Sequence, residues 1–234
     1  MPAALVTGSA KGIGKALVLM LAAEGYDVAV HYRSSQREAR EVAEEARGRG
    51  VNAITLQADV TDAEQAAGLV NEAHRQLGGL DVLINNVGDY LFTPLDELAI
   101  DDWHAMFDSN LHSTFYTCRA AAPLMRERGG RIINLGYAGA ELLKARPSIA
   151  AYSIAKTGVI LYSKALAKTE AKNGITVNVI SPGIVENSVS VPDDLPMGRA
   201  ATFIELTGAA KYLLSPGARY VTGVTLEVSG GWNV

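Results

Sequence analysis

The chain has 234 residues, 48% of them hydrophobic, and a net charge of −4, enough apolar side chains to fill one α/β core. So slight a charge gives no electrostatic case for nucleic acid or for an anionic membrane. The single cysteine, Cys118, rules out an internal disulfide and a cysteine-based zinc site. Its apolar neighbours Phe115, Tyr116 and Ala120 suit a buried structural thiol in a reducing cytoplasm. No apolar run approaches the ~20 residues needed to span a bilayer, and Gly8, Lys11, Gly12 and Gly14 interrupt the apolar start as no signal peptide would allow. A cytoplasmic protein of one domain over residues 1–234 is expected.

Short aliphatic runs alternate with longer amphipathic ones from end to end. Strands are predicted over 3–7, 27–32, 52–57, 81–85, 131–135, 176–181 and 224–228. Helical periodicity covers 13–24, 36–48, 63–77, 102–126, 151–172 and 201–214, with caps at Thr61-Asp62 and Asp101-Asp102. Most strands are apolar on consecutive positions, as in sheets covered on both faces. The order predicts an α/β fold, a doubly wound (Rossmann) seven-stranded parallel sheet with right-handed crossovers and helices on both faces. Residues 186–199, rich in Ser, Asn, Pro and Asp, are expected beyond a strand's carboxyl end as a substrate-facing loop.

The first strand runs directly into Gly8-Ser9-Ala10-Lys11-Gly12-Ile13-Gly14. Gly8 permits a sharp turn, Gly12 a close approach to pyrophosphate, and Gly14 tight helix–strand packing. The spacing is G-x-x-x-G-x-G rather than G-x-G-x-x-G. An acidic residue at the end of the second strand would select NAD. Here that end reads His31-Tyr32-Arg33-Ser34-Ser35, and Asp27 stands at the wrong end. Arg33 with Ser34 and Ser35 suits a 2′-phosphate, and Lys11 adds a cation nearby. The expected cofactor is NADP(H).

Tyr152 and Lys156 lie one helical turn apart on one face. An ammonium beside a phenol is expected to lower the phenol pKa toward neutrality, giving a proton donor for a carbonyl or alkoxide. Such a pair is common by chance; joined to the glycine turn it points to hydride transfer. His31, His74, His104 and His112 are scattered without metal spacing and read as surface or packing residues. Trp103, Phe107 and Leu111 form an apolar stripe. Trp232 is suited to reach a neighbouring subunit or to cover a pocket edge.

The motifs Thr7-Gly8 through Gly14, Asp59-Val60, Asn85-Asn86-Val87-Gly88, Asn110, Tyr152 with Lys156, and Pro182-Gly183 occur in the order of the short-chain dehydrogenase/reductase family, which the chain resembles over almost all its length. The R-I-I-N, P-M-G-R and T-G-V-T-L-E-V-S-G-G segments are similar to those of 3-oxoacyl-[acyl-carrier-protein] reductases. The resemblance implies a nucleotide held by Gly8, Ser9, Lys11, Gly12, Ile13 and Gly14. Asp59 would accept from the adenine amino group, with Val60 against the ring. Asn86, Val87 and Gly88 would pass beneath the cofactor, Val87 standing where relatives usually carry alanine. Pro182 and Gly183 would flank the carboxamide, and Asn187 stands at the place of a family threonine. Lys156 would bond the nicotinamide ribose, and Asn110 would hold a water of the proton relay. The resemblance also implies a homo-oligomer, a tetramer ahead of a dimer, built through the helices that carry the stripe and Tyr152.

One departure bears on the chemistry. The family's catalytic serine is absent, and no serine or threonine occurs from Arg131 to Pro147. Counting from the strand puts Tyr137 at that position, whereas counting back from Tyr152 puts Gly139 there, because the loop is two residues longer. Loss of one such donor typically costs ~10²–10³ in rate. Tyr137 is either a substitute donor or a packing residue. The leading expectation is an NADPH-dependent reductase of a small-molecule or carrier-tethered carbonyl, a 3-oxoacyl thioester among them. The alternatives are an NADP(H)-binding protein with little or no turnover and, against the lack of an aspartate at 137 or 139, a pterin-like reductase.

Overall fold

In a computed structural model, which describes residues 1–232, seven parallel strands form one sheet in the order β3-β2-β1-β4-β5-β6-β7. They are β1 (Ala3–Val6), β2 (Asp27–Tyr32), β3 (Ala53–Gln57), β4 (Val82–Asn85), β5 (Gly130–Leu135), β6 (Ile175–Pro182) and β7 (Thr225–Val228). The helices are α1 (Gly12–Ala23), α2 (Gln36–Arg47), α3 (Ala63–Leu77), α4 (Ile100–Phe107), α5 (Ser113–Met125), α6 (Ala150–Glu170) and α7 (Phe203–Leu214). The predicted doubly wound sheet is the observed one, with element ends moved by a residue or two.

Successive strand residues feed opposite layers, as the two-residue period of a strand requires. Ala4, Val6, Val28 and Ile84 pack with α1, α2 and α7 on one face, and Leu5, Ala29, Leu83 and Ile132 with α3, α5 and α6 on the other. Each fully buried leucine or isoleucine contributes about 1.5–3 kcal/mol. Among the described residues, no helix is long and apolar enough to cross a membrane, and no cluster of His, Cys, Asp or Glu could hold a metal.

The helix predicted as continuous over 102–126 is interrupted. Asp108–His112 is a π-helical segment between α4 and α5. Its side chains compete for the helix's own carbonyls: Ser109 Oγ donates to Ala105 O (2.8 Å), Asn110 Nδ2 to Met106 O (3.0 Å) and Ser113 Oγ to Ser109 O (2.6 Å). The bulge turns Asn110 inward. One cap and one helix start also differ from expectation. Asp101 and Asp102 lie in the first turn of α4 behind an Ala99 cap, and α7 begins at Phe203 because Thr202 forms a capping box with Glu205. Asp62 caps α3 as predicted, accepting from Gln65 N (2.8 Å).

A buried polar network ties α5 and α6 to the carboxyl ends of the central strands. Asn85 Nδ2 donates to Asn134 Oδ1 (2.8 Å), its register partner on β5, and Asn134 Nδ2 donates to Ser163 Oγ (2.8 Å). Thr117 Oγ1 donates to Asn85 Oδ1 (2.7 Å). A buried network whose members find partners fixes one arrangement of the elements that carry it. Cys118 sits beside it, its thiol pushed up to about 12 by burial, which makes it structural.

Candidate functional site

The chain runs from β1 to β2 and β3 on one side and then returns to β4 on the other, which opens a crevice at the carboxyl ends of β1 and β4. The glycine turn lines it. Gly8 (φ +62°) and Gly12 (φ +53°) adopt left-handed backbone. A Cβ on Gly8 would come within 2.9 Å of Val87 Cγ2, one on Gly12 within 3.0 Å of Asn187 Nδ2, and one on Gly14 would strike the Gly8 carbonyl. Asn86 Nδ2 donates to Thr7 O (3.0 Å) and Gly8 O (3.1 Å), and Thr7 Oγ1 accepts from Asn86 N (2.9 Å) and Val87 N (3.2 Å).

Three expected contacts of this turn are redirected. Ser9 is buried, with its Oγ accepting from His31 N (2.9 Å), and Ile13, half-buried, packs against the core cluster that α1 shares. Val60, only 3% exposed, lies in the core beside α3 instead of offering a face to a ring. The Ser9 and Val60 side chains thus join elements of the sheet. His31 takes on a larger part than its lone occurrence suggested. Gly8 N donates to its Nδ1 (2.8 Å), and its Nε2 donates to Ala58 O (3.1 Å), a pairing that fixes the neutral tautomer. Burial lowers its pKa to about 4.

At the outer edge, Arg33 and Ser34 are exposed, and Arg33 Nη1 stands 3.9 Å from Asp59 Oδ2. The other Asp59 oxygen accepts from Thr61 N (3.0 Å) and Thr61 Oγ1 (2.7 Å). Lys11 pairs with Glu38 at 2.9 Å. Exposed pairs of this kind are worth about 0–1 kcal/mol, so either cation can exchange its partner for a phosphate.

Lys156 is 4% exposed, and its Nζ donates to Leu135 O (2.8 Å) while standing 6.0 Å from the Tyr152 ring centroid. Burial lowers its pKa to about 8. A Cβ on Gly88 would lie 3.0 Å from Lys156 Nζ and would collide with Asn110 Oδ1, so all three meet at one point. Asn110 Nδ2 donates to Asp89 O (3.0 Å), leaving Oδ1 buried without a protein partner among the described residues. Contrary to expectation, the Tyr152 phenol is pushed well above the ordinary tyrosine range, first by burial and then by Tyr137 and Tyr90. The Tyr90 and Tyr137 rings flank that of Tyr152, and the lysine ammonium is committed to the Leu135 carbonyl.

Of the two alignments for the missing serine, Tyr137 is the residue that meets Tyr152, with ring centroids 5.5 Å apart at 65°. Gly136 N donates to Ile180 O (2.8 Å) and Ala138 N to Pro182 O (3.0 Å), which continues the β5–β6 pairing past Tyr137. The Gly139 N–H goes to Glu227 Oε1 (2.8 Å). The Tyr137 hydroxyl is buried without a protein partner among the described residues, and the Arg146 guanidinium lies 5.5 Å from its ring centroid. Gly183 N donates to Val228 O (3.0 Å), and a Cβ there would press Ser229 at 2.8 Å. Residues 186–199 pack at their far end on the terminal glycines, Gly230 facing Met197 and Gly231 facing Pro196. Sequence reasoning missed His31, Tyr90, Arg146 and Glu227. Only Tyr90 left a signal, being two residues past Gly88.

A glycine-lined crevice at a strand-order reversal, closed on one side by a tyrosine and a buried lysine, defines an α/β oxidoreductase that uses a nicotinamide nucleotide. Residues 8–233 match the family model described as enoyl-(acyl carrier protein) reductase. The 3-oxoacyl-[acyl-carrier-protein] reductase FabG of Staphylococcus aureus is 36% identical over 97% of this chain and 96% of its own length. The 3-oxoacyl-[acyl-carrier-protein] reductase of Synechocystis is 37% identical over 97% and 95%. Among solved structures, a short-chain dehydrogenase/reductase from Serratia marcescens superposes with a TM-score of 0.93 at 33% identity, covering 100% of this chain and 98% of that one. A blue fluorescent protein from a metagenomic library, in complex with NADPH, gives 0.92 at 34% identity over 100% and 98%. The chain belongs to the short-chain dehydrogenase/reductase family, and it is an enzyme of oxidation and reduction.

The His31 ring makes the glycine turn sensitive to acid. Its folded pKa lies below its unfolded value of 6.5, so its contribution is whole above that pH and is lost as pH falls toward about 4. The full loss would be about 3 kcal/mol. Urea unfolding at pH 7.5 and 4.5 should show His31→Asn losing about 2 kcal/mol less than the unaltered chain between those values. Equal losses in both would remove His31 from this account.

Proposed function

We propose that this enzyme reduces a carbonyl compound with NADPH, using Tyr152 as the proton donor, and that its substrate is a small or carrier-tethered ketone such as a 3-oxoacyl thioester. The observation that carries this reading is the meeting of Lys156 Nζ, Asn110 Oδ1 and Gly88 beside Tyr152, at the crevice that Gly8, Gly12 and Gly14 keep clear of side chains. A cradle that any Cβ would fill, with an unpartnered buried acceptor at its inner end, fits a dinucleotide. A structural neighbour in complex with NADPH supports the choice of nucleotide, and the 3-oxoacyl-[acyl-carrier-protein] reductase relatives that of the carbonyl substrate.

The pyrophosphate would lie on the backbone from Gly8 to Gly14, at the start of α1. Lys11, Arg33 and Ser34 would take the 2′-phosphate, and Asp59 the adenine amino group. Asn86, Val87, Gly88, Pro182, Gly183 and Asn187 would surround the nicotinamide half, with Lys156 on its ribose. When bound, the reduced nicotinamide supplies hydride to the substrate carbon. Tyr152 keeps its proton until charge develops on the substrate oxygen, and then donates it. Lys156, with a pKa near 8, balances between charged and neutral and so stabilises the tyrosinate and passes on a proton. Asn110 Oδ1 orients a water that resupplies it. The Tyr137 hydroxyl serves as the second donor to the oxygen in place of serine. Residues 186–199 form the substrate-facing loop. We place the enzyme in the cytoplasm, as a homotetramer without nucleic-acid or membrane partners.

The missing serine favours a second reading, an NADP(H)-binding protein without turnover. Following NADPH absorbance with an acetoacetyl thioester and a panel of diketones decides between them. Tyr152→Phe should lower turnover by about 10²–10⁴ and Tyr137→Phe by about 10²–10³, both with NADPH affinity retained. If no substrate gives turnover that depends on Tyr152, the enzyme reading falls to the binding one. For the nucleotide, Arg33→Ala should weaken NADPH by about tenfold to a hundredfold and leave NADH unchanged, since a charge-assisted bond is worth about 1.5–3 kcal/mol. Tighter NADH than NADPH binding in the unaltered chain would reverse that choice.

Assembly rests on the outer face of α6, where Leu161 is 64% exposed and Ile154 lies two turns before it, bordering a cavity of about 440 Å³ that Phe107 and Leu111 also line. A second copy laying its own α6 there would cover this apolar strip. Light scattering should find a tetramer for the unaltered chain and smaller species for Leu161→Glu. A monomer in both would overturn the assembly.

A further inference from the structure

We infer that Tyr90 governs substrate choice, forming with Tyr137 an aromatic slot around Tyr152 that favours flat, conjugated carbonyl compounds over flexible aliphatic ones. This narrows the substrate class of the preceding section to flat carbonyl compounds, setting the 3-oxoacyl thioester behind them, and rests on its reading of Tyr152 as the group the substrate must reach.

The slot is built by two separate loops. Tyr90 follows β4, and its ring meets that of Tyr152 edge to face, with centroids 5.1 Å apart at 80°. Tyr137 follows β5 and meets the same ring at 5.5 Å and 65°. Aromatic faces therefore border the catalytic phenol from two directions, and Tyr90 leaves 52% of its surface open.

The placement of Tyr90 follows from its backbone. From Tyr90 to Thr93 exposure alternates, as in an extended segment, with Tyr90 and Phe92 outward and Leu91 and Thr93 inward against Ile149 and Ala150. Asp89 O accepts from Asn110 Nδ2 (3.0 Å), and Thr93 N donates to Ser148 O (2.8 Å), which fastens the segment across the start of α6. Tyr137 is held from its far side by the Arg146 guanidinium. The backbone that carries both rings is thus fastened before any substrate arrives, and each ring rests on that of Tyr152.

Fixed rings favour a partner that is flat and rigid. Such a molecule covers the open face of Tyr90 in offset or edge-on contact and has no internal rotations to lose. An aliphatic chain would have to freeze several bonds to cover the same area. Hydrogen bonding by the Tyr90 hydroxyl is not required, so phenylalanine should replace it.

Calorimetry on the protein saturated with NADP⁺, where no turnover can intervene, provides the test. Isatin and 1-indanone should bind at least tenfold more tightly than an acetoacetyl thioester. Tyr90→Ala should abolish that preference, Tyr90→Phe should keep it, and Tyr90→Leu, which preserves apolar bulk if alanine impairs folding, should lose most of it. Equal binding of the two classes, equal weakening of both by Tyr90→Ala, or a Tyr90→Phe defect as large as that of alanine would each overturn the inference. NADPH oxidation measured in parallel separates the two claims. A preference in binding without Tyr152-dependent turnover sinks the reductase and leaves the slot, and turnover without the preference does the reverse.

Discussion

The side-chain amide of Asn86 joins the turns that leave two neighbouring strands, β1 and β4, in opposite directions. It donates to the carbonyls of Thr7 and Gly8 at 3.0 and 3.1 Å, where β1 and β4 part to open the crevice. From the other side, His31 accepts the Gly8 N–H at 2.8 Å. A left-handed glycine in a tight turn has backbone groups that no regular ladder will satisfy. Here a neutral histidine and an amide satisfy them, so the turn keeps its shape and the crevice its floor. The cradle, the approach of Gly88 to Lys156 and the seat of Asn187 against Gly12 all follow from where that turn lies.

The tyrosine and lysine one helical turn apart illustrate how a local pair acquires its chemistry from elsewhere. Spacing alone would let the ammonium draw the phenol pKa down. In the folded chain, burial moves both groups toward their neutral forms, raising the tyrosine and lowering the lysine to about 8. The Leu135 carbonyl, at the end of β5, holds the ammonium, and rings from two loops enclose the phenol. The phenol of this pair keeps its proton and is not a phenolate at rest.

The longer loop after β5 is anchored rather than loose. Its first residues remain paired with β6, and Glu227 on β7 receives the Gly139 amide. This pairing holds Tyr137 in register with the strand and against Tyr152. An aromatic ring therefore stands beside the Tyr152 ring at the end of β5.

The sequence by itself determined the seven strands, the glycine turn and the Tyr152–Lys156 spacing, because consecutive apolar positions, glycine and helical periodicity act over short stretches. It did not disclose that Ser9 and Val60 face inward, since which side of a turn meets solvent depends on the neighbouring strand. The π-helical break that aims Asn110 lay hidden in an otherwise regular pattern, where serine and threonine side chains compete for helix carbonyls. Tertiary structure alone brought Tyr90, Tyr137 and Tyr152 together, from loops more than forty residues apart for the first two, because contacts at that distance are set by strand order and register. It also decided the protonation of the central pair, because burial is a property of the assembled chain and of no segment within it.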